Sequence, residues 1–164
     1  MKRIFIFAFI GNLVFSVGSF LVLPEQVAIH FGTGGHADGW SSREFHLLLN
    51  LGMDSFLFML FFFIPKGIRR FPKSLMNLPD KSYWLQPENL QRLYQLMDDW
   101  LHELGVAMMI FLLVIGGLTL KANLAQPVRL NEPTFFVVLA IFMAYVLYWS
   151  WSLYVKLKPS KRSL

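Results

Sequence analysis

The chain has 164 residues, enough for one domain, and 55% of them are hydrophobic while only 15% are charged, against about a quarter charged in soluble domains. A mean hydropathy of +0.50 is too apolar for a water-soluble globule of this length, and the absence of cysteine excludes disulfides, Cys-ligated metals and thiol nucleophiles. The formal charge of +5 would suit a nucleic-acid partner if it were clustered on one surface, but its placement along the chain gives it another meaning.

Met1-Lys2-Arg3 precedes a first apolar run over residues 4–23, about 30 Å long as a helix. Small residues at Ser16 and Gly18 would suit a signal-peptide cleavage site. The run continues through Leu23, however, so a retained membrane helix is expected. Residues 24–46 form a polar loop with three of the four histidines, His30, His36 and His46. Gly32-Thr33-Gly34-Gly35 lacks the strand, helix and Lys-Ser/Thr of a phosphate loop and is expected to be turn punctuation. Ala37-Asp38-Gly39-Trp40 resembles a second turn, with Trp40 returning to the membrane surface.

A second run over 47–64 ends in Phe61-Phe62-Phe63-Ile64, and Pro65 is expected to mark the helix exit. Residues 65–86 are basic and turn-rich, with Tyr83 and Trp84 of the aromatic type that favours the headgroup level. Pro87 suits a first helical turn and Glu88 its positive end, opening a third helix over 87–120. Its early part is amphipathic: Leu90, Leu93, Tyr94, Met97, Trp100, Leu101 and Leu104 form a stripe, with Arg92, Asp98, Asp99 and Glu103 off it. A fourth helix over 135–155 closes in Tyr148, Trp149, Trp151 and Tyr154, an interface signature.

Charge sets the orientation. Lys2 and Arg3, then Lys66, Arg69, Arg70, Lys73, Lys81 and Arg92, then Lys156, Lys158, Lys161 and Arg162 all fall on one side of these runs. Only Arg43, Lys121 and Arg129 fall on the other. The positive-inside rule then places both termini and residues 65–86 in the cytoplasm and residues 24–46 outside. The expected fold is an all-α integral membrane protein with four transmembrane helices, N-in and C-in, its third helix amphipathic at the start and spanning at the end. The bilayer is its first partner, and no nucleic acid is expected.

His46, Asn50 and Asp54 are four residues apart and share one helix face. With the helix starting at Leu47, Asp54 lies about 10 Å below its top. A carboxylate there is costly against lipid, so it is expected to face the first helix, with Asn12 or Ser16 in hydrogen-bonding reach and Ser19 on the same face. Two readings stay open: a proton, ion or ligand path opening outward, or a protonated Asp54 serving as interhelical glue. Glu25, His30, His36 and His46 are of zinc- or copper-binding type, but their spacing matches no tight ligand motif, so turn and interface roles weigh against a metal. Asp98-Asp99 with His102 and Glu103 could bind Mg²⁺ beside a phosphate substrate. With no second acidic cluster, a solvated helix face is the simpler expectation. No serine has a base and an orienting acid beside it, so no catalytic residue and no cofactor are expected. The basic segment with Phe71, Tyr83 and Trp84 suits anionic headgroups.

Two blocks carry a family resemblance. Leu23-Pro24, Ile29-His30-Phe31, Gly35 and Asp38-Gly39-Trp40-Ser41-Ser42 resemble the first outer loop of the SdpI-like bacterial membrane proteins. Asn77-Leu78-Pro79-Asp80-Lys81-Ser82-Tyr83-Trp84-Leu85-Gln86-Pro87 is similar to that family's cytoplasmic Asn-x-Pro-x-Lys-x-Tyr-Trp-Leu-x-Pro segment. Ala28 and Ala37 stand where prolines are usual, and Arg43 where the family tends to have lysine. The resemblance implies a small domain of unknown function in the bacterial cytoplasmic membrane. The better-known, longer member acts in immunity to a secreted toxic peptide and holds a transcriptional repressor at the membrane. The leading expectation is therefore a non-enzymatic sensor, immunity or accessory protein. A ligand or partner, such as a secreted peptide or another membrane protein, would meet His30, Asp38, Trp40 and the line from His46 to Asp54. A second protein would meet the segment bearing Asn77, Pro79, Lys81, Tyr83, Trp84 and Pro87. A metal- or proton-linked transporter or enzyme using Glu25, the outer histidines and Asp54 is the alternative, and a small subunit of a larger membrane complex is a third.

Overall fold

A computed structural model of the chain describes residues 1–158, so Lys161 and Arg162 of the expected basic tail lie outside the described residues. In chain order it contains α1 (Lys2–Val22), β1 (Gln26–Phe31), β2 (Ala37–Ser42), α2 (Arg43–Ile68), α3 (Lys81–Trp84), α4 (Pro87–Asn123) and α5 (Glu132–Leu157). Helices α1, α2, α4 and α5 are each long and apolar enough to cross a membrane, the architecture of a multi-pass membrane protein. The starts of α2 and α5 are fixed by side-chain caps. The Ser42 hydroxyl accepts from the Phe45 N–H at 3.2 Å and Asn131 Oδ1 from the Thr134 N–H at 3.0 Å, satisfying donors that a first turn leaves orphaned.

Several boundaries differ from expectation. Helix α2 begins at Arg43, so His46 belongs to its first turns, and it continues through Pro65 to Ile68. Proline removes one N–H, the one that would reach the Phe61 carbonyl, and the final turn forms without it. Helix α4 outruns its apolar run to Asn123, and α5 spans Glu132 to Leu157, extended at its start by the Asn131 cap.

The expected all-α fold needs a larger correction: most of the loop expected over 24–46, from Gln26 to Ser42, is an antiparallel β-hairpin. Val27 pairs with Ser41 and Ala28 with Trp40, and the register shifts between Ala28 and Phe31. The segment Ala37–Trp40, expected as a turn, is strand. The reversal is completed at Thr33–Gly35, where Gly34 and Gly35 both have φ of 74°. That left-handed conformation is open to glycine at little steric cost.

Helices α1, α2 and α4 pack together around Phe5, Phe61 and Met109, with Phe58 stacked between Phe5 (5.3 Å) and Phe9 (4.2 Å). Helix α5 lies against α4 through Trp100 and Trp149, whose rings stack at 3.5 Å. Each indole N–H donates to the other residue's carbonyl, at 3.0 and 2.8 Å. The outward faces carry Phe7, Leu21, Leu48, Ile141 and Leu147, the last 70% exposed. Apolar surface of this extent suits lipid and would promote association in water.

At the end opposite the hairpin, the first half of α4 gathers the other segments. Its Asp99 meets the Met1 amino group at 3.5 Å, Asp98 meets Arg69, and Glu103 meets Lys156 at 3.5 Å. The acidic stripe is solvated as expected, with the Asp99 side chain 69% exposed, and it also pairs with basic groups at the surface, while His102 beside it is buried with its edge on Phe5. Trp84, expected at the headgroup level, is 2% exposed and packs with Leu93 and Leu157. Its indole N–H donates to the Leu157 carbonyl at 2.6 Å.

Candidate functional site

The hairpin is held over one end of the helix group by polar contacts from α4 and the turn that follows it. Asn123 is buried at the end of α4 and reads the backbone of Ala28: its Oδ1 accepts from the Ala28 N–H at 2.7 Å, and its amide N–H donates to the Ala28 carbonyl at 3.0 Å. One side-chain amide thereby stands in for the peptide of a third strand. Farther along, the Arg129 guanidinium donates to the Gly34 carbonyl at 2.8 Å, and the Leu130 N–H donates to the Gly35 carbonyl at 2.8 Å.

Within the helix group at that end is a cavity of about 100 Å³, lined by Asn12, Ser16 and Ser19 of α1, by His46, Asn50 and Asp54 of α2, and by Thr119 of α4. The two polar lines read from the sequence therefore meet. Asp54 is 4% exposed and its carboxyl lies beside the Ser16 side chain. It sits deeper than expected, about 16 Å from the helix start, because α2 begins at Arg43. Asn50 Nδ2 and His46 Nε2 are 3.0 Å apart. Asn12 donates to the carbonyls of Ala8 (2.9 Å) and Met109 (3.0 Å), which ties α1 to α4 beside the cavity. Ser19 Oγ is buried and has no hydrogen-bond partner among the described residues.

The outer residues are disposed differently. Asp38 and Trp40 are two apart on β2 and share its exposed face, with Trp40 49% exposed. Asp38 Oδ1 lies 2.5 Å from His30 Nδ1 on the neighbouring strand. His36 is bridged to Arg129, and Glu25 is exposed just before β1. His30, His36, His46 and Glu25 therefore do not converge. Among the described residues no three His, Asp or Glu side chains are grouped to hold a metal ion. His30 is fixed on β1 and His36 at the end of the hairpin turn, while His46 turns into the cavity.

On the opposite end, Lys81 donates to the Ser74 carbonyl at 2.6 Å, and the Tyr83 carbonyl accepts from Asn89 at 3.0 Å. With Trp84 buried, the exposed residues of that segment are Asn77, Asp80, Ser82, Gln86 and Pro87, with Phe71 and Leu75 exposed just before it. Thr119 and Asn123 escaped the sequence reading. A threonine and an asparagine near the end of an apolar helix look like ordinary termination, and nothing local marks Ala28 as a partner.

Residues 7–53 match a family model described as Domain of unknown function (DUF1648). The match takes in α1 from Phe7 onward, the hairpin and the start of α2, stops one residue before Asp54, and leaves out α4 and the Asn77–Pro87 segment. No curated protein and no solved structure matches the chain.

Proposed function

We propose that this chain is a non-enzymatic sensor, immunity or accessory protein of a bacterial cytoplasmic membrane, with the hairpin facing outward and both termini in the cytoplasm. The orientation rests on basic-residue placement: twelve lysines and arginines flank the end opposite the hairpin in sequence, and three flank the hairpin end. The recognition role rests on one observation, the hairpin itself. Asn123 and Arg129 fix its backbone, while it presents an exposed Trp40 beside the His30–Asp38 pair. A rigid scaffold carrying an exposed indole and a polar pair suits a binding surface, because little side-chain or loop ordering is lost on contact.

In this reading a secreted peptide or another membrane protein docks on the hairpin. The exposed residues Phe71, Leu75 and Asn77 offer a second contact at the cytoplasmic end. The likeness of the two motif blocks to SdpI-like proteins supports the immunity form of the proposal. The test compares wild type with His30→Ala and Trp40→Ala, using crosslinked partner capture and host survival on exposure to secreted toxic peptides. Loss of capture or protection in either variant, at normal membrane levels, is expected. Unchanged capture and survival in both would remove the recognition role.

A proton-linked transporter is the second reading, favoured by the buried carboxyl facing a polar cavity. A pH-dependent flux in proteoliposomes that Asp54→Asn abolishes would select it over the first.

A further inference from the structure

We propose that the cavity between α1, α2 and α4 binds a small monovalent alkali cation, with Asp54 as its charged ligand and the hydroxyls of Ser16, Ser19 and Thr119 as neutral ones. The donor chemistry comes first. On its polar side the cavity brings together a carboxylate, three hydroxyls and the amides of Asn12 and Asn50, oxygens of the kind hard cations take, while Phe15, Met53, Leu112 and Ile115 close the rest of the wall. Ser19 supplies an independent sign. A serine inside a helix commonly donates back to a carbonyl one turn earlier. Ser19 Oγ makes no such bond, is 6% exposed, and faces the cavity. A buried hydroxyl of this kind calls for a ligand or water.

Charge selects a cation over a neutral ligand, and a single charge over a double one. The ion pairs of the described residues are formed elsewhere, and none includes Asp54. Asp54 and His46 are the two titratable groups that face the cavity. His46 Nε2 accepts from the Asn50 amide, which leaves the imidazole neutral and unable to balance the carboxylate. One carboxylate among neutral oxygens is balanced by one positive charge, and a divalent ion would carry an uncompensated charge into a low-dielectric region. Size agrees. A cavity of about 100 Å³ exceeds the ~10–15 Å³ needed for one water, leaving room for a partly hydrated ion.

The proposal rests on the cavity alone. Partner capture by the hairpin is read in a separate assay, so either idea can fail without the other. Its test is thermal unfolding of the full chain in detergent or nanodiscs, in NaCl, LiCl, KCl or choline chloride at equal ionic strength and fixed pH. At tenfold over its Kd, Na⁺ is expected to raise the midpoint over choline on the order of 3–6 °C. Asp54→Asn, close in shape, is expected to abolish the rise. Ser19→Ala is expected to move the Na⁺ half-point upward by about tenfold, the cost of one lost oxygen ligand. Identical midpoints in all four salts for wild type would overturn the proposal and leave a protonated interhelical Asp54. Retention of the full Na⁺ response by Asp54→Asn would overturn it as well. Should that variant not fold, the wild-type salt series decides alone.

Discussion

Asn123 shows how much of the site depends on a single side chain that sequence patterning does not mark. It closes both hydrogen bonds of Ala28, 95 residues away, at a buried position. Replacement by alanine leaves a buried N–H and a buried C=O with no protein partner. At about 1–3 kcal/mol for each group left unsatisfied, Asn123→Ala is expected to cost on the order of 2–4 kcal/mol. Asn123→Asp keeps the acceptor but sets a carboxylate oxygen against the Ala28 and Thr119 carbonyls at a buried position, so it is expected to cost at least as much as alanine at neutral pH. Unfolding midpoints of the two variants check the order, and a loss below about 0.5 kcal/mol for alanine would mean that water replaces the amide. The facing lines of Asn12, Ser16 and Ser19 and of His46, Asn50 and Asp54 were legible at this scale, because four-residue spacing is a property of one helix. Thr119 was not, since its place beside them depends on how α4 docks.

Among elements, the four apolar helices were legible because hydropathy and length are local quantities, and the hairpin was not. Its strands have six residues each, include Gly39, and bury only Val27 and Ala28 fully, so period-two alternation is too short and broken to register. Pro65 misled in the other direction: a residue that ends most helices is absorbed into the last turns of α2. The hairpin's turn offers a contrast between two glycines with the same φ of 74°. At Gly34 an added Cβ would meet its nearest neighbour, the His36 ring, at 3.4 Å, an ordinary contact. At Gly35 it would overlap the Leu130 carbonyl oxygen, which is backbone and held in place by the Leu130 N–H bond to Gly35. Gly34→Ala is therefore expected to cost about 1 kcal/mol, the left-handed penalty alone. Gly35→Ala should cost distinctly more and detach the α4–α5 turn, freeing the backbone after the exposed Arg129 for faster limited trypsin cleavage. Equal stability and equal cleavage of the two variants would show that the turn does not hold the hairpin.

For the whole molecule, the helix order gathers the chain at two ends of unlike character. The hairpin, Asn123 and the α4–α5 turn meet at one. Met1, Arg69, Trp84 and Lys156 meet along α4 at the other. Two properties coincide: the end whose flanking segments are rich in lysine and arginine is also the end where Met1 and the last turns of α5 meet α4, and it is the end that the proposed orientation puts in the cytoplasm. The absence of native cysteine makes the assignment directly measurable. Thr33 in the hairpin turn and Ser74 in the segment before α3 are both exposed, so a cysteine at either is accessible from its own side. On intact cells or spheroplasts, an impermeant maleimide is expected to label Thr33→Cys and to label Ser74→Cys only after the membrane is opened. The reverse pattern would turn the hairpin to the cytoplasm. Recognition of a secreted peptide by Trp40 and His30 would then be physically barred, and entry to the Asp54 cavity from the hairpin end would be from the cytoplasm.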